Sequence, residues 1–164
     1  MRILGIDPGL ATMGWGVVDM VGGNPSYIAH GVITTTPDTA FPQRLVSIRR
    51  DVEALLSTYL PDEIVFEELF FARNVTTAFT VGAARGVAIT ACAAYTDQLF
   101  EYTPMQIKQA VVGYGHAEKH QVQQMLKMIL RLSEIPRPDD AADAVAAAVT
   151  HAHAGRASDQ FRMK

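Results

Sequence analysis

Apolar positions along this chain change period several times, and each change marks an element. Ile3, Leu4, Gly5 and Ile6 form a short unbroken apolar run, which reads as a buried strand. Residues 14–20 and 26–35 read as two more strands, joined by the turn Gly22-Gly23-Asn24-Pro25, so the first three predict an antiparallel meander. Leu45, Ile48, Val52, Leu55, Leu56 and Tyr59 then recur at helical spacing between Pro42 and Pro61, which predicts an amphipathic helix over 42–60. Residues 63–67 form a fourth strand, 76–95 a helix crowded with small residues, and 99–102 a fifth strand. Thr103 and Pro104 stand in the N-cap and first-turn positions of a short helix. Val122, Met125, Leu126, Ile129 and Leu130 mark another amphipathic helix, and Pro138-Asp139 opens a last, alanine-rich one that ends near His153 and Gly155. The tail to Lys164 is polar and reads as frayed.

Strands alternating with helices over 164 residues give an α/β chain with a single domain over 1–155 and a polar tail over 156–164. The one cysteine, Cys92, lies in an apolar run, so it reads as a small buried hydrophobe in a reducing compartment. The stretch around it reads as too short, and too rich in Gly and Thr, to span a bilayer. Met1-Arg2 leads directly into a strand with no room for a signal peptide, and the protein reads as cytosolic. A net charge of −3 weakly discourages a nucleic-acid partner. Its distribution softens this: between positions 69 and 137 seven basic residues (Arg73, Arg85, Lys108, Lys119, Lys127, Arg131, Arg137) face four acidic ones (Asp97, Glu101, Glu118, Glu134). Acids reserved for a cation also lower the formal total without repelling DNA once the cation is bound.

Four acids sit where apolar elements begin or end. Asp7 follows the first strand in Asp7-Pro8-Gly9, a sharp exit in which Pro8 cannot extend a ladder and Gly9 permits positive φ. Glu67 ends the fourth strand, expected parallel to the first, so their C-terminal ends meet at the edge where open α/β sheets place ligands. Glu68 falls on the opposite face by strand alternation. Asp140 and Asp143, three apart, share one face of the last helix. Asp139 reads as an N-cap, whereas Asp143 is flanked by small apolar residues where an unpaired carboxylate is costly. Together the four form a constellation of oxygen ligands suited to Mg²⁺ or Mn²⁺, and two such ions about 3.5–4 Å apart perform phosphodiester hydrolysis.

The residues Gly5-Ile6-Asp7-Pro8-Gly9 with Gly14 and Gly16, then Phe66-Glu67-Glu68-Leu69-Phe70, Gln106-Ile107-Lys108-Gln109, Gly115-His116-Ala117-Glu118-Lys119 and Ala141-Ala142-Asp143-Ala144, occur in register over nearly the whole chain. In this it resembles the RuvC family, the bacterial crossover junction endonucleases. The resemblance implies a ribonuclease H-like fold with a five-stranded mixed sheet in the order 3-2-1-4-5 flanked by helices. It implies a homodimer that cuts four-way (Holliday) junction DNA by paired symmetric nicks, with two Mg²⁺ per subunit for which Mn²⁺ can substitute. Partnership with the RuvA and RuvB branch-migration proteins is implied as well. By matching motifs the metal ligands fall on Asp7, Glu67, Asp140 and Asp143. The family carries Asp or His at the position of Asp140, and the neighbouring Asp139 leaves a one-residue ambiguity, resolved in favour of Asp140 by its spacing to Asp143.

Basic and aromatic residues then take on roles. Lys119 opens a helix, where its charge works against the macrodipole, and contact with the scissile phosphate is set against a solvated surface position. Lys108 resembles the family's second basic position. Phe70 either stacks on an unpaired base at the crossover or packs under its own loop, and Arg73 lies in the same loop as a further DNA contact. Gly82 and Gly86 permit another backbone to approach, either the domain's own sheet or a two-fold partner. His116, His120, His151 and His153 read as surface or cap residues. Rival readings are a sugar-kinase-like or actin-like ATPase, for which the chain has room for one domain where two are needed, a non-catalytic DNA-binding module, and a ribonuclease H-like nuclease acting on another substrate such as an RNA–DNA hybrid.

Overall fold

The computed structural model describes residues 1–69 and 75–164. The strands are β1 (Arg2–Asp7), β2 (Thr12–Val21), β3 (Asn24–Thr34), β4 (Glu63–Glu67) and β5 (Leu99–Tyr102). The helices are α1 (Phe41–Tyr59), α2 (Val75–Tyr95), α3 (Pro104–Val112), α4 (Lys119–Ile129) and α5 (Asp139–Ala154), followed by a 3₁₀ turn over Gly155–Phe161. One sheet runs in the order β3-β2-β1-β4-β5. β1, β2 and β3 pair antiparallel, while β4 lies parallel to β1 and β5 parallel to β4. The β2–β3 turn is made by Gly22 and Gly23, both at positive φ, the backbone twist that matches a two-residue hairpin.

Strand alternation divides the core between the two faces. Leu4, Ile6, Ile64 and Phe66 pack with α1 and α2, while Ile3, Val65, Phe100 and Tyr102 pack with α3, α4 and α5. Asp7 has the parity of Ile3 and Gly5, and Glu67 that of Val65, so both belong to the α5 face. Helix α5 lies unusually close to the sheet. A methyl group at Gly5 would overlap the Ala144 carbonyl, and one at Gly14 the Asp140 carbonyl. Gly9, by contrast, keeps a negative φ; its lack of a side chain makes room for the Thr12 carbonyl.

Three expectations need correction. The tail does not fray: Met163 N–H donates to the Leu99 carbonyl at 2.9 Å, Phe161 lies 4.5 Å from the Tyr102 ring, and the Arg162 guanidinium sits over Phe100. It covers the exposed edge of β5, which would otherwise leave a row of unpaired backbone groups. The stretch Thr77–Tyr95 is long and apolar enough to cross a bilayer. It is nonetheless laid on the sheet through Ala84, Ala88, Ala91 and Cys92, and its Arg85 pairs with Glu101 of β5 at 2.6 Å. Cys92 is fully buried, which pushes its thiol up to about 12. Third, His151 is neither a surface nor a cap residue but 1 % exposed in the core.

Candidate metal centre

The C-terminal ends of β1 and β4 deliver Asp7 and Glu67 side by side, because Ile6 and Phe66 are paired in the parallel ladder. The N-terminal half of α5 crosses above them and brings Asp140 and Asp143. Burial pushes the Asp7 carboxyl up to about 8, and the charges of Glu67, Asp143 and Asp140 add to it. Burial likewise raises Glu67 to about 7, with Asp143 as the next cause. Asp143 is raised too, by burial first, against the pull of Lys119. Among the described residues neither the Asp7 nor the Glu67 carboxyl group has a hydrogen-bonding or ion-pair partner. Glu67, Asp140 and Asp143 therefore lie close enough to oppose the ionisation of Asp7, an arrangement that costs stability unless a cation compensates it.

Lys119 supplies part of that compensation. Its Nζ lies 2.8 Å from Asp143 Oδ2 and 3.5 Å from Asp139 Oδ2. Burial would lower the ammonium, but the bond and attraction to Asp143 outweigh it and hold it above its ordinary value. This explains a lysine in a first helical turn: it answers carboxylates on the next helix. The cap of α4 comes from Glu118 and Gln121.

The structure separates Asp139 from Asp140. Asp139 is met by Gln123 at 3.0 Å, by Arg137 at 3.0 Å and by Lys119, which hold its carboxyl below the usual range. Both Asp139 and Asp140 add to the charge that raises Asp143, and of the two only Asp140 bears on Asp7.

Glu67, Asp143, Lys108 and Lys119 line one cavity of about 250 Å³, closed by Pro104, Ile107, Val122 and Ala146. A larger cavity of about 690 Å³ opens between α3, the end of α5 and the C-terminal turn, but no carboxylate or lysine lines it. Phe70 and Arg73 lie outside the described residues. Gly82 and Gly86 have nothing within 4 Å of a side chain built on them, so they do not serve packing on the domain's own sheet.

Among the described residues no three carboxylate or imidazole side chains stand at ligating distance of one point. The donor set nevertheless fits a hard divalent ion: it is all oxygen, partly buried, mutually repelling, and has an ammonium already drawn into it. Sequence reading missed Glu63, Tyr102 and His151, which form a buried chain behind the site. Asp143, Ala147 and His151 fall at four-residue steps on α5, a signal that could have placed the histidine inside.

Residues 3–151 match the model of the family described as crossover junction endodeoxyribonuclease RuvC. Proteins of that name from Alkaliphilus oremlandii and Brevibacillus brevis are 49% identical over the whole of both chains and 55% identical over 93% of this chain and 92% of theirs, respectively. The solved structure of Thermus thermophilus RuvC in complex with Holliday junction substrate superposes with a TM-score of 0.90 at 37% identity, covering 96% of each chain. The sheet order is the one expected of the ribonuclease H-like fold. The chain belongs to the RuvC family of crossover junction endodeoxyribonucleases.

Proposed function

We propose that the protein is a structure-selective endonuclease that resolves four-way DNA junctions in recombination and repair by paired symmetric nicks. The observation that carries this reading is the meeting of Asp7, Glu67 and the Asp140–Asp143 pair, from three distant segments, at one sheet edge where the charges of Glu67, Asp140 and Asp143 all raise the Asp7 carboxyl. Family membership brings divalent-metal dependence with it. The finer reading is two Mg²⁺ per subunit, replaceable by Mn²⁺, held by Asp7, Glu67, Asp140 and Asp143. Bound there, the ions supply an activated water and neutralise charge on the attacking and leaving oxygens.

The chain's own residues do the rest. Asp143, now bonded to Lys119, would hold the metal in place of that contact. Lys119, freed at the mouth of a cavity it shares with Lys108, is then placed to contact a backbone phosphate. Phe70 and Arg73 are proposed as DNA contacts from the family resemblance alone, Phe70 stacking on an unpaired base.

A homodimer through α2 supports the pairing of nicks. Gly82 and Gly86 face open space, and Phe79 on the same helix is 77% exposed, an apolar surface that a second copy would cover. Two-fold symmetry then sets one site on each of two like strands. RuvA and RuvB are the proposed partners, and a DNA substrate in bacteria places the protein in the cytoplasm.

A nicking assay with a synthetic four-way junction, a linear duplex and an RNA–DNA hybrid tests the assignment. Mg²⁺-dependent cutting of the junction alone is expected, abolished by Asp7→Asn or Asp143→Asn while junction binding persists. Preferred cutting of the hybrid, or binding without cutting, would hand the protein to one of the rival readings.

A further inference from the structure

Helix α5 is fastened to the sheet in two different ways. Toward its N-terminus it rests on glycine: side chains at Gly5, Gly14 and Gly16 would overlap Ala144, Asp140 and Val145. These contacts fix Asp140 and Asp143 relative to Asp7, because β1 and β2 carry all three glycines. None of them reaches the strand of Glu67.

Beyond the apolar packing of Val65, His151 adds a hydrogen-bonded connection to that strand two turns further along the helix. Its Nε2 lies 2.6 Å from Glu63 Oε2, at the first residue of β4, and its Nδ1 2.9 Å from Tyr102 Oη, at the last residue of β5. Tyr102 is the register partner of Glu67. The ring is buried 4.3 Å from Phe100. Among the described residues these are the only side-chain hydrogen bonds between α5 and the sheet.

The proton count closes with a neutral ring. A carboxylate only accepts, so Nε2–H donates to Glu63, and Nδ1 accepts from the Tyr102 hydroxyl. Burial pushes the imidazole below its ordinary value, against the opposing pull of Glu63. A hydrogen-bonded network around a buried histidine is a better device for specifying one arrangement than for adding stability.

We propose that His151 is a positioning residue for phosphodiester cleavage: it sets the spacing between α5 and β4, and with it the gap between Asp143 and Glu67 that a shared metal ion must fill. The inference rests on the carboxylate–metal reading given above. Outer groups that orient metal ligands are typically worth 10- to 100-fold in metal affinity.

The test compares full-length His151→Leu, Tyr102→Phe and Thr150→Val with the wild type. Three quantities are read: the Mg²⁺ concentration giving half-maximal junction cleavage, junction affinity in EDTA, and melting temperature in EDTA. Thr150 is the control for stability alone, since its hydroxyl bonds only within α5, to the Ala146 carbonyl at 2.8 Å. His151→Leu is expected to raise the Mg²⁺ midpoint at least about 10-fold, with junction affinity unchanged and most cleavage recovered at saturating Mg²⁺. Tyr102→Phe should shift the midpoint less, in the same direction, and it decides the matter if His151→Leu does not fold. Thr150→Val should melt lower with the midpoint unmoved. Folded His151 or Tyr102 variants with a wild-type midpoint would overturn the proposal, as would an equal shift in Thr150→Val. Wild-type cleavage that needs no metal would remove the metal reading itself, and this inference with it.

Discussion

At Asp7 burial and three neighbouring charges act in the same direction, and the consequence is measurable without any substrate. Asp7 and Glu67 titrate at about 8 and about 7 in the folded chain, above their ordinary values of 3.8 and 4.5. A group whose folded pKa is raised stabilises the fold fully below its unfolded pKa, and that contribution is lost as pH rises through the folded value. In EDTA the melting temperature should therefore fall between about pH 5 and pH 8.5, by an amount on the order of a few kcal/mol in stability. Mg²⁺ should restore most of it at the alkaline end, because binding selects the ionised carboxylates. Asp7→Asn should flatten the EDTA profile and melt higher than wild type at pH 8 while cleaving nothing. An EDTA profile that is already flat in the wild type would show that these carboxylates do not oppose one another. The four acids were legible in the sequence because each breaks a local pattern. The partner of Lys119 was not, since it lies 24 positions away in the chain, and nothing local announces a helix-to-helix ion pair.

Elements were read more securely than their contacts. Among the described residues all five strands and five helices fall where the sequence places them, because those signals are local: Thr103 does accept from the Gln106 backbone as an N-cap, and β5 falls where its short apolar run sits. The tail was misjudged because two apolar residues, Phe161 and Met163, are too few to set a period, and their worth lies in the uncovered edge of β5. His151 was misjudged because alternating His and Ala at a helix end resembles a polar cap, although its stripe continues from Asp143. The close seating of α5 on glycine predicts a specific sensitivity. Gly14→Ala should cost about 1–3 kcal/mol in denaturant unfolding, the usual penalty of overpacking, and should lower cleavage as well, since the atom it meets is the backbone of Asp140 itself. A variant as stable and active as wild type would show that α5 can lift away without consequence.

For the whole molecule, the proposed dimer through the exposed side of α2 is open to a direct test. A bulky residue at Gly82 meets nothing in the single chain and should gain roughly 0.5–1 kcal/mol of helix propensity. In a dimer packed through this helix it would hold the two backbones apart. Gly82→Leu should accordingly melt no lower than wild type, sediment as a monomer, and convert paired nicks into single uncoordinated ones; sedimentation as a wild-type dimer would place the interface elsewhere. The fold and the family were within reach of the sequence because its motifs fall at the ends of the strands that order the sheet. The surroundings of Gly82 and Gly86 were only half legible, since glycine four apart in a helix serves an internal sheet or an external partner equally well. The account depends most on the acidic cluster being a divalent-cation site, and anomalous diffraction from crystals grown with Mn²⁺ and junction DNA addresses that directly. Two peaks about 3.5–4 Å apart, bounded by Asp7, Glu67, Asp140 and Asp143 with Lys119 moved off Asp143, are the predicted result. Density with no ion among these carboxylates, and Lys119 still bound to Asp143, would contradict it.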